Sequence, residues 1–300
     1  MSHAESLEAD GPLVPTIGGV PDQAVPLALR SIIQTASEQG RGQEACAGTN
    51  QYIHLVINDQ RAGELIDTLP FFIPDVELIY FPAWDVLPYD RTSPNPAIVT
   101  ERLEALMQML RPASKPRMII TTIAALTQLL PPKDELKAHM WALEWGETLD
   151  REALSKWLVQ HGYLANSKAV ESGEFAMRGS IIDIIPAGSE SGFRLDLFGD
   201  EIESIKRFDP LTQLSAEEVE QVSLLPASEV LLTDQHIARF RNGYREHFGA
   251  INKQNAFYEA VSAGQRWPGM EHWLPLFYDR LDSLADYVGD AALTLSLIHI

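Results

Sequence analysis

Between positions 196 and 201 the chain reads DLFGDE, three carboxylates in six residues, a density that could hold a hard cation such as Mg²⁺. Gly199-Asp200 also fits a two-residue hairpin loop, because glycine at the first central position suits a type II′ turn. The acids then become the solvated end of a hairpin, the stronger reading, since no nucleophile or proton shuttle accompanies them. Pairing Phe198 with Glu201 and following the strand alternation puts Leu195, Leu197, Ile202 and Phe208 on one core-facing stripe. The other face carries Arg194, Asp196, Phe198, Glu201, Glu203 and Arg207, with Asp196 opposite Glu203 and the arginines screening both. Phe198 is out of place there. An aromatic ring flanked by arginines on an exposed strand face has the composition of a protein-binding hot spot.

Other chemistry is hard to find. No G-x-x-x-x-G-K-[ST] occurs, and no Gly-Lys pair at all, so the lysine-bearing loop that cradles nucleotide phosphates is missing from the sequence. The stretch IGGVPDQAV (17–25), where such a loop could stand, contains no lysine. Neither H-E-x-x-H nor G-x-S-x-G is present, and no two of the eight histidines stand four apart, so each reads as an ordinary surface or satisfied residue. The single cysteine, Cys46, excludes an internal disulfide and any multi-cysteine metal site. We expect no catalytic, cofactor or metal residue here, and no enzyme activity from this stretch.

Composition narrows the class. Forty-two acidic residues against 23 basic ones give a formal charge of −19, which disfavours a stand-alone nucleic-acid binder because phosphate neutralisation needs clustered Lys and Arg. No run approaches the ~18 apolar residues of a membrane span, and MSHAESLEADGPLVP lacks the basic-then-apolar pattern of a secretory leader. With one cysteine, a reducing cytoplasm is the expected compartment.

The elements that must hold the hairpin follow from periodicity. Three hundred residues predict two or three domains. After a loose leader (1–24), YIHLVI, VELIYF and RMIITT are short apolar strands alternating with helices over 25–132, the pattern of a parallel α/β sheet. Val99, Leu103, Leu106 and Leu110 make one helical stripe, and the double proline at 131–132 ends the unit. Residues 133–224 read as a small α+β domain, with Trp141, Leu143 and Trp145 on one side of a strand, a helix at 150–162, and the antiparallel strands around the hairpin. A third segment, 225–300, begins with a helix striped by Ile237, Phe240, Tyr244 and Phe248. Its closing AALTLSLIHI is an apolar strand that stops abruptly, suggesting a piece of a longer chain.

RGSIIDIIPAGSESGFRLDLFGDEIESIKRFDPLTQ resembles domain 2 of the UvrB family, shared by the excision-repair protein UvrB and the bacterial transcription-repair coupling factors. FPAWDVLPYDRTSPNPAIVTERLEAL, LLPASEV and GMEHWLPLFYDRLDSLADYV resemble the coupling factors' flanking segments, in the same order from about residue 25 to 290. The missing phosphate loop and the short 82–96 loop, too small for UvrB's inserted β-hairpin, favour the coupling factors over a UvrB-like damage-recognition subunit with a degenerate nucleotide site. The resemblance implies a degenerate RecA/P-loop-like domain 1A, the small domain 2, and the start of an α/β segment 1B. It implies recruitment of UvrA through Arg178, Arg194 and Phe198, on a surface masked in the longer protein until engaged. It also implies an ATP- and Mg²⁺-dependent DNA translocase motor beyond residue 300, which acts on duplex DNA and displaces stalled RNA polymerase. Arg178, on the strand FAMRGSIID, would extend the Phe198 face if the strands are neighbours.

Overall fold

The computed structural model describes residues 20–39, 51–88, 90–249 and 255–295. Most of the expected leader, residues 17–19 of the IGGVPDQAV stretch, Gly40, the loop carrying Cys46, and residues 296–300 lie outside the described residues. Strands β1 (Gln51–Val56), β2 (Glu77–Phe81) and β3 (Arg117–Thr122) form the expected parallel sheet, and β12 (Ala292–Leu295) completes it in the order β12-β1-β3-β2. The strands are continuous apolar runs because helices cover both faces. Helices α1 (Val25–Gln39) and α2 (Asp59–Phe72) bury Leu29, Ile33, Leu65 and Leu69 against Tyr52, Val56, Met118 and Ile120. On the other face α3 (Pro96–Leu110) buries Leu103 and Leu106 against Ile53, Phe81 and Ile119.

Strand-to-helix connections in this sheet are tight. Only Ile57 and Asn58 separate β1 from α2, and the Asn58 side chain caps the helix by accepting from Arg61 N at 2.9 Å. The short α4 (Ile123–Leu126) follows β3 directly, with Thr122 as its cap. Beyond it, α5 (Lys133–Ala138) sends Leu136 back into the same core, which also takes Leu284, Tyr287 and Val288 from around α9 (Leu284–Val288). The first core is thus built from both ends of the chain.

Between them lies an antiparallel domain. Strands β5 (Leu164–Ala165), β6 (Glu174–Arg178), β7 (Ile181–Ile184), β8 (Gly192–Phe198), β9 (Glu201–Phe208) and β10 (Ser215–Glu218) make a six-stranded sheet in reverse chain order. Helix α6 (Arg151–Gln160), capped by Asp150, buries Leu154 and Leu158 against Phe175, Ile182, Leu195, Leu197 and Ile205. Strands β4 (Trp141–Glu144) and β11 (Gln221–Leu224) pair beside it, with Leu143, Val222 and Leu224 in that core. Trp145, expected on the same side as Leu143, lies just past the end of β4 and is 65% exposed.

The expected hairpin pairing holds only at the tip. Phe198 faces Glu201 and Leu197 faces Ile202, but Asp196 faces Ser204, since a bulge leaves Glu203 as the extra residue. Beyond the bulge every β9 side chain changes face. Phe208, expected on the core stripe, lies on the outer face over Gly192, where an added Cβ would meet its ring at 2.2 Å. There it joins Ala169, Ala176 and Ile185 in a small separate apolar cluster. Arg207, expected beside Arg194, turns instead to Phe193, and Lys206 takes its place opposite Arg194. Gly199 has φ 65° while Asp200 is not among the positive-φ residues, the pattern of a type II′ turn.

The remaining segment is helical. Helices α7 (Asp234–Phe248) and α8 (Ala256–Ser262) and a helical turn over Met270–Leu276 enclose an aromatic core, with Phe240 and Phe277 stacked at 5.0 Å. Of the expected α7 stripe, Ile237 and Phe240 are buried, Tyr244 is half-buried and Phe248 is exposed.

Candidate functional site

The outer face of the six-stranded sheet is organised by a residue to which sequence reasoning gave no role. Asp183, in the middle of β7, is fully buried, although it interrupts the apolar run Ile181–Ile185. Its carboxylate accepts from Arg194 Nε at 2.7 Å and Arg194 Nη2 at 3.0 Å, and also from Arg178 Nη2. Strand neighbours make this possible, because Asp183 lies directly between Ala176 of β6 and Arg194 of β8. A charge buried in an otherwise apolar strand needs cationic partners, and that interruption is the sequence signal that could have revealed it.

The two arginines differ in how fully they are engaged. Arg194 stacks over the Phe208 ring at 5.0 Å and donates from Nη1 to the Gln213 carbonyl and Ser215 Oγ, each at 3.3 Å. Only 20% of its side chain is exposed. The hydrogen bonds to Asp183 push its already high pKa further up, so it stays charged. Arg178 has 47% of its side chain exposed, with its tip anchored on Asp183. It therefore presents a guanidinium held in place rather than one free to wander.

Phe198 ends β8 on the same face at 77% exposure, on the rigid shoulder of the turn. Between it and the arginines stands Asp196, which pairs with Ile181, itself opposite Arg178. Ser180 Oγ lies 3.5 Å from Asp196 Oδ1. The structure thus brings Arg178, Arg194 and Phe198 onto one face and adds Asp183 as the anchor of the two arginines. A largely exposed ring on the same face as a fixed guanidinium can offer a partner apolar area and directed hydrogen bonds together.

Residues 141–230, which enclose this whole sheet, match the family described as the UvrB interaction domain. Over 239 residues, 80% of this chain, 38% are identical to the transcription-repair-coupling factor of Rickettsia prowazekii (strain Madrid E). The chain belongs to the transcription-repair coupling factor family. Relatives of the same name from Haemophilus influenzae and Escherichia coli (strain K12) are 34% and 36% identical over 83% and 73% of the chain. The chain spans about a fifth of their length, 21% of the Rickettsia coupling factor and 19% of the Escherichia one. The mixed α/β architecture agrees with that family, a four-stranded parallel sheet beside a six-stranded, mainly antiparallel one. No helix among the described residues is long and apolar enough to cross a membrane.

Sequence reasoning also passed over two other groupings. Arg102 of α3 and Glu229 are both fully buried, with Nε and Oε1 2.6 Å apart, tying the parallel domain to the helical segment. Arg102 Nη1 also donates to the Pro82 carbonyl at 2.6 Å and Gln128 Oε1 at 2.8 Å, and Trp84 Nε1 donates to Glu229 Oε1 at 3.1 Å. The histidines, read as scattered, are not: His139, His161 and His236 meet in space.

Proposed function

We propose that the outer face of the six-stranded sheet docks the excision-repair protein UvrA, with Phe198 as the apolar anchor and Arg178 as the principal charged contact. Arg194 acts mainly by holding Asp183 and the sheet face in place. On this reading the chain is a UvrB-like recruiting module, working in the cytoplasm, that brings UvrA to lesions where RNA polymerase has stalled. The longer protein would be an ATP- and Mg²⁺-dependent DNA translocase that displaces the polymerase from duplex DNA, with motor and polymerase contacts outside this chain.

The single observation that supports docking most is the 77% exposure of Phe198 on a face where Asp183 holds both arginines in place. Burying that ring would remove about 100 Å² of apolar surface from water, on the order of 2–3 kcal/mol. A charge-assisted bond from Arg178 to a partner carboxylate or carbonyl would add roughly 1.5–3 kcal/mol. Calorimetric titration of the chain with UvrA is the test. Saturable binding that Phe198→Ala and Arg178→Ala each weaken about tenfold is expected, and unchanged affinity in both would end the proposal. ATP titration in the same instrument separates this reading from a nucleotide-using UvrB-like subunit, because the sequence holds no lysine-bearing phosphate loop. Micromolar ATP binding with turnover would favour that second reading.

A further inference from the structure

At the junction of the antiparallel domain and the helical segment, Glu135 of α5, His139 just after it and His236 of α7 converge, with one potential ligand atom from each lying within 4.8 Å of the others. Glu135 Oε2 is 3.5 Å from His139 Nε2 and 3.7 Å from His236 Nε2. Both separations exceed the roughly 2.7–3.2 Å of an N–H···O hydrogen bond, so no proton bridges them well. They are close to the edge of a metal tetrahedron, where ligands about 2.1 Å from a Zn²⁺ ion stand about 3.4 Å apart.

The hydrogen bonds behind these atoms set which nitrogens are bare. His161 Nδ1 lies 2.6 Å from the Trp157 carbonyl, which can only accept, so Nδ1 carries the proton. With the proton on Nδ1, Nε2 of the neutral ring is an acceptor. His139 Nδ1, 2.9 Å from that nitrogen, must then donate to it. The His139 Nε2 lone pair is thereby aimed at the Glu135 carboxylate, one electron-rich atom facing another. His236 is fully buried, its Nδ1 lies 2.6 Å from Thr233 Oγ1, and its Nε2 has no hydrogen-bond partner among the described residues. Glu135 is turned toward both rings by Arg239, whose Nη1 donates to the other carboxylate oxygen at 3.3 Å, and Asp279 offsets the charge of Arg239.

We propose that Glu135 Oε2, His139 Nε2 and His236 Nε2 bind a divalent transition metal of the Zn²⁺ class, stapling α5 to α7. Two imidazoles and a carboxylate are a borderline-soft set that suits zinc or cobalt better than Mg²⁺ or Ca²⁺. His161, Thr233 and Arg239 orient the three ligands from behind, as outer partners do in zinc sites. Glu135 and His139 are about a quarter exposed, at 26% and 22% of their side chains, which leaves a fourth position open toward solvent for water.

The test uses the whole chain, dialysed against a chelator and titrated with ZnCl₂ by calorimetry, with CoCl₂ as a visible-absorption probe. One equivalent of either metal should bind at micromolar concentration, Co²⁺ should give the intense d–d bands of tetrahedral N/O coordination, and zinc should raise the melting temperature. His139→Gln, on a partly exposed ring, should fold and lose both the binding and the bands. His161→Gln, behind the site, should weaken zinc by about 10–100-fold, whereas His247→Gln, on the exposed side of α7, should bind as the unaltered chain does. Failure of the unaltered chain to bind zinc saturably would overturn the site. So would unchanged affinity and Co²⁺ spectrum in folded His139→Gln. Should His236→Gln fail to fold, the His139 and His161 variants still decide the matter.

Discussion

Arg102 with Glu229, and Asp183 with Arg178 and Arg194, are the same chemistry at two depths. In the first, both side chains are wholly buried, and Arg102 Nε and Nη1 donate to the pair partner, the Pro82 carbonyl and Gln128, under the Phe81 ring at 4.5 Å. No part of either side chain reaches the surface, so this pair joins segments. In the second, only the carboxylate is buried, and the guanidiniums emerge to 20% and 47% exposure beside a bare phenylalanine. Burial of the anion fixes the cations without hiding them. The depth of the carboxylate's partners, rather than the presence of an ion pair, separates an architectural pair from one on the proposed docking face.

The contrast is sharpest at Glu229. Glu229→Ala leaves the Arg102 charge buried without its partner and should cost about 3–5 kcal/mol in urea unfolding. UvrA affinity of the folded protein should not change. A cost below about 1 kcal/mol would show that water reaches the pair and that the two regions do not differ in depth.

Asp183→Asn should cost less, about 1.5–3 kcal/mol, because the released arginines can turn to water. Unlike the first change it should also weaken UvrA binding, since Arg178 loses its anchor. Full UvrA affinity in that variant would mean the fixed orientation has no part in docking.

Phe198→Ala reverses the balance. It should leave stability within about 0.5 kcal/mol while raising the Kd for UvrA about tenfold. Leu195→Ala, one strand face away in the core, should instead lower the melting temperature and spare affinity. If Phe198→Ala unfolds the domain and Leu195→Ala does not, the hairpin faces are assigned the wrong way round.

The smallest effect belongs to Lys156 and Asp234, 3.6 Å apart and largely exposed at the edge of α6 and α7. Lys156→Ala should change neither the urea midpoint nor UvrA binding measurably. A clear loss of stability would place more weight on surface ion pairs than this comparison allows.

Sequence alone determined the elements whose signals are local. Apolar runs gave β1, β2 and β3, helical stripes gave α3 and the start of α7, and Gly199-Asp200 fixed a turn that put Phe198 outward on the charged face. Tertiary structure decided whatever depends on partners distant in the chain. The Glu203 bulge moved Phe208 under Arg194, because a single extra residue inverts every later side chain and no composition rule marks it. Asp183 found Arg194 across one strand boundary, Arg102 found Glu229 across 127 positions, and His139 met His161 and His236 from different elements. Each such meeting requires the backbone to be folded first, so the residue types were visible in the sequence and their company was not.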